Sequence, residues 1–552
     1  MKKSVKIPIE KLTKNLTAKL ILRIVSLMLA ALLLLFAVGC DKLSREDMSV
    51  TDDPAASGGE ERPTENDGTN PDQREPLFTP ADMIELDFEG AQISIMYCDT
   101  SGCSRDWYHT YPQDELEEAI VERNSKVMEE LNLNISWAPV RYSEEYNEYS
   151  ARLNDMVISD VNSGRHYYDV CSSPVKYSSS LALRDYTANL LDKTVFPYFD
   201  FSLKCWNQSI VNGTSANGRL HYAAGAINVS LYDATYVVWF NKTLYDAHKL
   251  EGDPENIQQY ALDGKWTYDE LYKWTNRLYV DDDHYPNEVT RSDTFALAMN
   301  SDNGVVEANQ AFIYAWDLDF VIENEDKTHS FNLYNNDKAE AAIEKCLDLF
   351  NAVGTYIDDN CDGSFVWGSK LFYIGEMFTS RYDNEGIRKM DDRYGILPMP
   401  KYSVDQPQYY TTATDRFNLM FAIDHSKSKI GTQGAMISAF LQLSAEEAVT
   451  GTTGYYFNRV IKPKRFVDDQ DDEKLAESSM LLNNNIAIYL IIIENTVFDY
   501  ANIYSSSLSD VNSLWQDALH SPYPKTLGLA YSNKSDLYEE ALKDLDKWFG
   551  IE

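Results

Sequence analysis

The side chains of this chain best suited to holding another molecule are its aromatic rings. There are 37 Tyr and 10 Trp, aromatic residues make up 12 % of the chain, and they stand in polar segments as well as apolar ones. An aromatic face stacks on the C–H surface of a pyranose while the sugar hydroxyls need hydrogen-bonding side chains, so capture of a sugar is the chemistry this composition suits. For any single ring, packing inside the protein is the competing use. The acids offer a second chemistry, since two carboxylates flanking a glycosidic bond would hydrolyse it. With 87 Asp and Glu, however, pairs arise everywhere and no motif fixes two of them at one place. No G-x-S-x-G, H-E-x-x-H, P-loop or G-x-G-x-x-G stands in a fitting strand or helix context. Neither catalysis nor a cofactor is therefore expected. Asp281-Asp-Asp-His284 could offer carboxylates to calcium but lacks the spaced D-x-D-x-D-G loop, and a solvated turn is its expected use. Cys98, Cys103, Cys171, Cys205, Cys346 and Cys361 show no C-x-x-C or Cys/His ligand spacing, which disfavours zinc. Cys98 and Cys103 could close a small disulfide loop in an oxidising space, or stay thiols in an anaerobic one.

The remaining cysteine, Cys40, has a distinctive setting. Lys2, Lys3, Lys6, Lys11, Lys14, Lys19 and Arg23 face a single acid, Glu10, and are followed by the apolar run 24–38. That run has the length of a secretory core and is shorter than the ~20 apolar residues that span a bilayer. It ends in Ala37-Val38-Gly39-Cys40, which resembles the bacterial lipobox, with Ala37 where Leu is preferred. Small residues there admit signal peptidase II, and the Cys40 thiol would take a diacylglyceryl group. Two acyl chains, at about 0.8 kcal/mol per buried CH2, hold a protein stably to a membrane. An uncleaved signal anchor is the alternative. Residues 41–80, rich in Asp, Glu, Ser, Pro, Gly, Asn and Thr, have almost nothing to bury and are expected to form a disordered tether. The expected division is thus a signal peptide at 1–39 and a lipidated Cys with an acidic linker at 40–83.

Without residues 1–39, which carry seven basic residues and one acid, the chain has 42 Lys and Arg against 86 Asp and Glu, a net charge of −44. Such a body repels nucleic acid and anionic lipid, and neither is an expected partner. The body after the linker, about 470 residues, is long enough for two or three domains.

The elements that must position any site begin with an alternating apolar stretch at 90–98, which reads as a strand. Leu116, Ala119, Ile120, Val127 and Leu131 then recur at helical spacing over 114–131. A strand at 133–137, a helix at about 146–163 and a strand at 168–171 follow. Strands alternating with helices imply βαβ units and a mostly parallel sheet, whose ligands sit beyond the carboxyl ends of the strands.

Several segments have counterparts in one family: Ala119 to Asn124 in the form A-I-V-E-R-N, the Tyr168-Asp-Val strand, and Gly213-Thr-Ser-Ala-Asn-Gly-Arg-Leu-His-Tyr222. More specific are Val237-Val-Trp-Phe-Asn-Lys242, Asp263-Gly-Lys-Trp-Thr-Tyr-Asp-Glu-Leu271 and Tyr394-Gly-Ile-Leu-Pro-Met-Pro-Lys401. In their order these segments resemble the extracellular solute-binding proteins of family 1, the ligand-capturing subunits of carbohydrate ABC importers, over roughly residues 85–550. The resemblance implies an α/β, two-lobed, periplasmic-binding-protein-like fold of type II, each lobe a mostly parallel sheet flanked by helices. It places an N-terminal lobe at 84–235 with 376–428 and a C-terminal lobe at 236–375 with 429–552. It further implies a monomer that captures a carbohydrate between lobes that close by a hinge, and presents it to ABC permease subunits. With Cys40 lipidated, the protein would sit on the outer face of the cell membrane, a setting that suits a Gram-positive cell. A sensor-coupled or glycan-binding lipoprotein without transport would use the same cleft.

Carried over position by position, the resemblance names the candidate ligand contacts. They are Asp99 and Trp107 after the first strand, Ser173 after the third, and Tyr232 and Asp233 before the chain enters the second lobe. In Ala311-Phe-Ile-Tyr-Ala-Trp-Asp317 they are Tyr314 and Trp316, and in Ile374-Gly-Glu-Met-Phe378 they are Glu376 and Phe378. Tyr455 and Tyr456 complete the set.

Overall fold

The alternation at 90–98 becomes β1, Ala91–Asp99, in a computed structural model of the chain. The described residues are 86–551, without 100–105, 108, 110, 142–145, 283–287, 303–304, 382–385, 425–429, 462–471, 506, 509 and 521–525. The expectations for the signal peptide, Cys40, the acidic linker, Cys103 and His284 lie outside them.

Ile93, Ile95 and Tyr97 of β1 enter one apolar cluster while Met96 and Cys98 enter another, so both faces are covered, as a parallel strand requires. β1 pairs in parallel with β2, Leu133–Arg141, and with β3, Val170–Pro174. The link to β2 is the helix Glu115–Glu130, which buries Leu116, Ala119, Ile120 and Val127. Its first turn carries Glu115, Glu117 and Glu118 beside the positive end of the helix dipole. Asp114 caps it, accepting from the Glu117 N–H at 2.9 Å. The helix Tyr146–Ser163 links β2 to β3.

A second sheet starts with β4, Tyr236–Asn241, every residue of which is buried. The short β5, Tyr279–Val280, precedes β6, Thr294–Asp302, and β7, Val305–Val306. After a separate hairpin of β8, Val321–Glu323, and β9, His329–Phe331, come β10, Thr355–Asp358, β11, Lys370–Glu376, and β12, Tyr394–Leu397. The sheet order is β10-β6-β11-β4-β12, with β5 and β7 attached to β6. The first sheet is completed by β13, Asn418–Ala422, antiparallel on β3, in the order β13-β3-β1-β2.

Two segments sit with a different sheet from the one expected. β12, within 376–428, pairs antiparallel with β4 in the second sheet, Ile396 opposite Trp239. The helix Ile430–Thr450 brings Met436, Ile437 and Phe440 into the cluster of Ile93, Ile95 and Trp107 beside the first sheet. Both segments are buried over most of their described residues, and burial alone does not choose one sheet over the other. The chain between the sheets runs in three adjacent strips. The Tyr236 N–H donates to the Thr412 carbonyl at 3.0 Å, the Thr414 N–H to Ala234 at 2.9 Å, and the Val497 N–H to Thr411 at 2.8 Å. Among the described residues no helix is long and apolar enough to cross a membrane.

Candidate ligand-binding site

β6 and β11 run parallel, with Ile374 opposite Met299, so their carboxyl ends open at the same sheet edge. β4 is antiparallel to β11, which sets its first residue, Tyr236, opposite Glu376, the last of β11. A cavity of about 240 Å3 lies at this edge. Asn300, Tyr373, Gly375, Glu376 and Tyr236 line it from the strands, and Glu307, Asp362, Phe378 and Arg416 from the segments around them. Its walls are held in place by hydrogen bonds. The Tyr236 hydroxyl donates to the Glu307 carbonyl at 2.9 Å, and Asn300 Nδ2 to the Tyr373 hydroxyl at 3.1 Å. Asn300 Oδ1 also accepts from the Cys361 N–H at 2.8 Å. Gly375 leaves room for the Tyr373 ring, whose atoms stand about 2.4 to 2.5 Å from where a β-carbon would be.

Burial drives the Glu376 carboxyl up to about 7, against the pull of Arg416 and with repulsion from Glu307 and Asp233. An Arg416 guanidinium nitrogen stands 3.7 Å from Glu376 Oε2, and Glu376 in turn raises the guanidinium. An acid held above its ordinary 4.5 keeps its proton more tightly in the folded state than in the unfolded one. The resulting stability is fully present below that value and is lost as pH rises through about 7. Glu376→Gln is expected to flatten this fall in urea melts run from about pH 4 to about pH 8. An unchanged slope would mean that the Glu376 carboxyl is as hydrated as in the unfolded chain.

Of the expected contacts, Glu376 and Phe378 line this cavity together. Tyr232 instead lines a larger cavity, about 650 Å3, with Trp206, Thr235, Thr453, Glu494 and Thr496. Among its described lining residues none ends a parallel strand, and the smaller cavity better fits the placement of ligand sites in such sheets. Asp233 is buried, ion-paired with Arg381, and accepts from the Tyr456 hydroxyl at 2.9 Å. Burial raises its carboxyl while Arg381 lowers it. Tyr456 is thereby spent on Asp233, and its neighbour Tyr455 is 42 % exposed. Tyr314 donates to Asp499 at 3.0 Å and Trp316 Nε1 to the Pro400 carbonyl at 3.1 Å, both rings being buried. Trp107 is buried against Phe440, with the Arg123 guanidinium 5.6 Å from its ring centre. Ser173 is buried in β3, where its hydroxyl has no hydrogen-bond partner among the described residues. Asp99 ends β1, and its side chain is outside the described residues.

Sequence reasoning did not find Tyr236, Asn300, Glu307, Asp362, Tyr373 or Arg416. Tyr236 alone had a local signal, its place at the head of an apolar strand. Beside the first sheet, Arg123 and Asn124 of the A-I-V-E-R-N segment hold Asp106 and Trp107: the guanidinium donates to the Asp106 carbonyl at 2.8 Å, and the amide to that of Trp107. The buried Asp106 carboxylate accepts from the Ser230 N–H at 2.7 Å and from Asn418 at 3.0 Å, tying Asp106 to β13. Cys171, Cys205, Cys346 and Cys361 are buried, and burial pushes their thiols up, to about 12 for Cys205 and Cys361. Among the described residues no group of three or more His, Cys, Asp or Glu is placed to hold a metal ion.

Two sheets, each with helical crossovers and joined by adjacent crossing strips, make the two-lobed α/β fold of periplasmic binding proteins. Among solved structures the chain is similar to the cyclic α-maltosyl-1,6-maltose binding protein of Arthrobacter globiformis. The TM-score is 0.50 at 12 % identity, over 82 % of this chain and all of that one. It is also similar to a cyclo/maltodextrin-binding protein complexed with maltotetraose, with a TM-score of 0.49 at 14 % identity over 83 % of this chain and 99 % of that one. A third is UgpB from Mycobacterium tuberculosis in complex with glycerophosphocholine, with a TM-score of 0.47 at 15 % identity over 78 % of this chain and 95 % of that one. At such identities the likeness concerns the fold. No protein-family model and no curated protein matches the chain.

Proposed function

We propose that this protein is the extracellular, membrane-anchored binding component of an ABC importer and captures a sugar or oligosaccharide. The observation that carries the reading is the cavity at the carboxyl ends of β6 and β11, where aromatic rings and hydrogen-bonding groups meet. The fold supports it, since the solved protein of Arthrobacter globiformis, named for binding a cyclic maltose derivative, shares that fold over its whole length and 82 % of this chain. The n-region, apolar run and Cys40 support anchoring by lipid, and the acidic tether would hold the folded body away from the surface. Delivery to permease subunits follows from the family resemblance alone.

Isothermal titration of the full chain against mono- and oligosaccharides tests the reading. Saturable heat with at least one sugar is expected, with affinity lowered about tenfold by Phe378→Ala, since an aromatic contact contributes roughly 0.5–1.5 kcal/mol beyond its area burial and about 1.4 kcal/mol is tenfold. Silence across the sugars, with binding of amino acids or peptides, would replace the ligand class.

A further inference from the structure

The cavity at the end of β11 holds more negative charge than the protein uses. Glu307 and Asp362 make no side-chain hydrogen bond or ion pair with any described residue, and Glu376 shares the Arg416 guanidinium. Three carboxyl groups and one guanidinium thus line the cavity among its described residues. An anionic ligand would meet like charge here and across a chain whose net charge is −38. A neutral ligand that excluded water would leave Glu307 and Asp362 facing groups that cannot compensate them, at a cost in desolvation. A cation would offset this charge through a charge-assisted hydrogen bond to a carboxylate of the lining.

The rest of the lining fits the same ligand. Tyr236, Tyr373 and Phe378 border the cavity, and aromatic faces attract cations electrostatically. Burial and then the neighbouring carboxylates hold both phenols well above their ordinary 10, so they stay neutral and add no charge. The volume, about 240 Å3, is below the range of drug-sized pockets and suits one small ring.

We propose that this cavity selects a sugar or polyol of monosaccharide size bearing a protonated amine, its ammonium placed among Glu307, Asp362 and Glu376 and a hydroxyl on Arg416. This rests on the solute-capture reading above and narrows its ligand class.

The test is isothermal titration of the full chain near neutral pH with glucosamine, galactosamine and mannosamine, each beside its parent hexose and its N-acetyl derivative, and with neutral maltodextrins. In at least one series the amine is expected to bind about tenfold or more tightly than both neutral counterparts, with a preference that shrinks as salt is raised. Glu307→Gln, at an exposed position, and Asp362→Asn are each expected to narrow that gap about fivefold. A parent hexose, N-acetylhexosamine or maltodextrin that binds while no hexosamine is preferred would overturn the inference and leave sugar capture standing. A gap unchanged in both variants would overturn the placement of the ammonium. Silence from every sugar would overturn this inference together with the sugar reading.

Discussion

Arg381→Ala is expected to lower the free energy of unfolding by about 3–5 kcal/mol, the usual cost of leaving one member of a buried ion pair alone. Arg381 and Asp233 are 2 % and 4 % exposed, and they come from different stretches of the chain. Asp233 ends the short helix Val229–Asp233, just ahead of β4, and Arg381 follows the turn after β11. Without the guanidinium, Asp233 would keep the Tyr456 hydroxyl and lose the charge that offsets its burial. The carboxyl would then rise further and take up a proton, so the loss should be smaller at acid pH than at neutral pH. Urea melts at both values measure this. Pairing Arg381→Met with Asp233→Asn should recover a large part of the loss, because the buried Asp233 charge is then removed along with the guanidinium that offset it. A single-variant loss below about 1 kcal/mol would show that water reaches this pair.

Trp316→Ala is expected to cost about 3–5 kcal/mol, as large-to-small changes of a buried aromatic do. Its ring lies within 5.3 to 5.7 Å of those of Phe312, Tyr268 and Tyr402. Its Nε1 is bonded to the Pro400 carbonyl, which would lose that donor. Trp316→Phe would keep most of the ring packing and lose the N–H, and should cost about 1–3 kcal/mol. Melting curves of the two variants separate packing from hydrogen bonding. Equal, small losses for both would mean that the ring is not part of the core. This residue shows why ring type alone was a weak guide to the site. Trp107, Trp206, Trp239, Trp266, Trp274, Trp316 and Trp515 are all among the largest fully buried side chains.

The opening units were legible because their signals are local. The 3.6-residue spacing of Leu116, Ala119, Ile120 and Val127 sets a helix face, and the helix Tyr146–Ser163 has the bounds the pattern suggested. The parallel β1, β2 and β3 follow from the helices between them. Of the residues that line the cavity, the family resemblance had named Glu376, the last of β11, and Phe378, two residues beyond it. Tyr314, Trp316 and Tyr456 sit in comparable patterns, but partners far along the chain, Asp499, Pro400 and Asp233, take up their polar atoms.

By itself the sequence determined the alternation of strand and helix, the acidic body and the apolar segments that must be covered on every side. Each is a property of neighbouring residues or of composition, and needs no knowledge of what folds against what. Only the tertiary structure decided that β12 joins β4, that the helix Ile430–Thr450 covers the first sheet, and that Tyr236, Glu307, Asp362, Glu376 and Arg416 converge on one cavity. An apolar strand or helix can bury itself against either sheet at similar gain, and carboxylates on separate segments meet only once strand register sets which ends open together. The register of β4 on β11 and of β11 on β6 is what sets it here, and it is a sum over contacts between residues far apart in the chain.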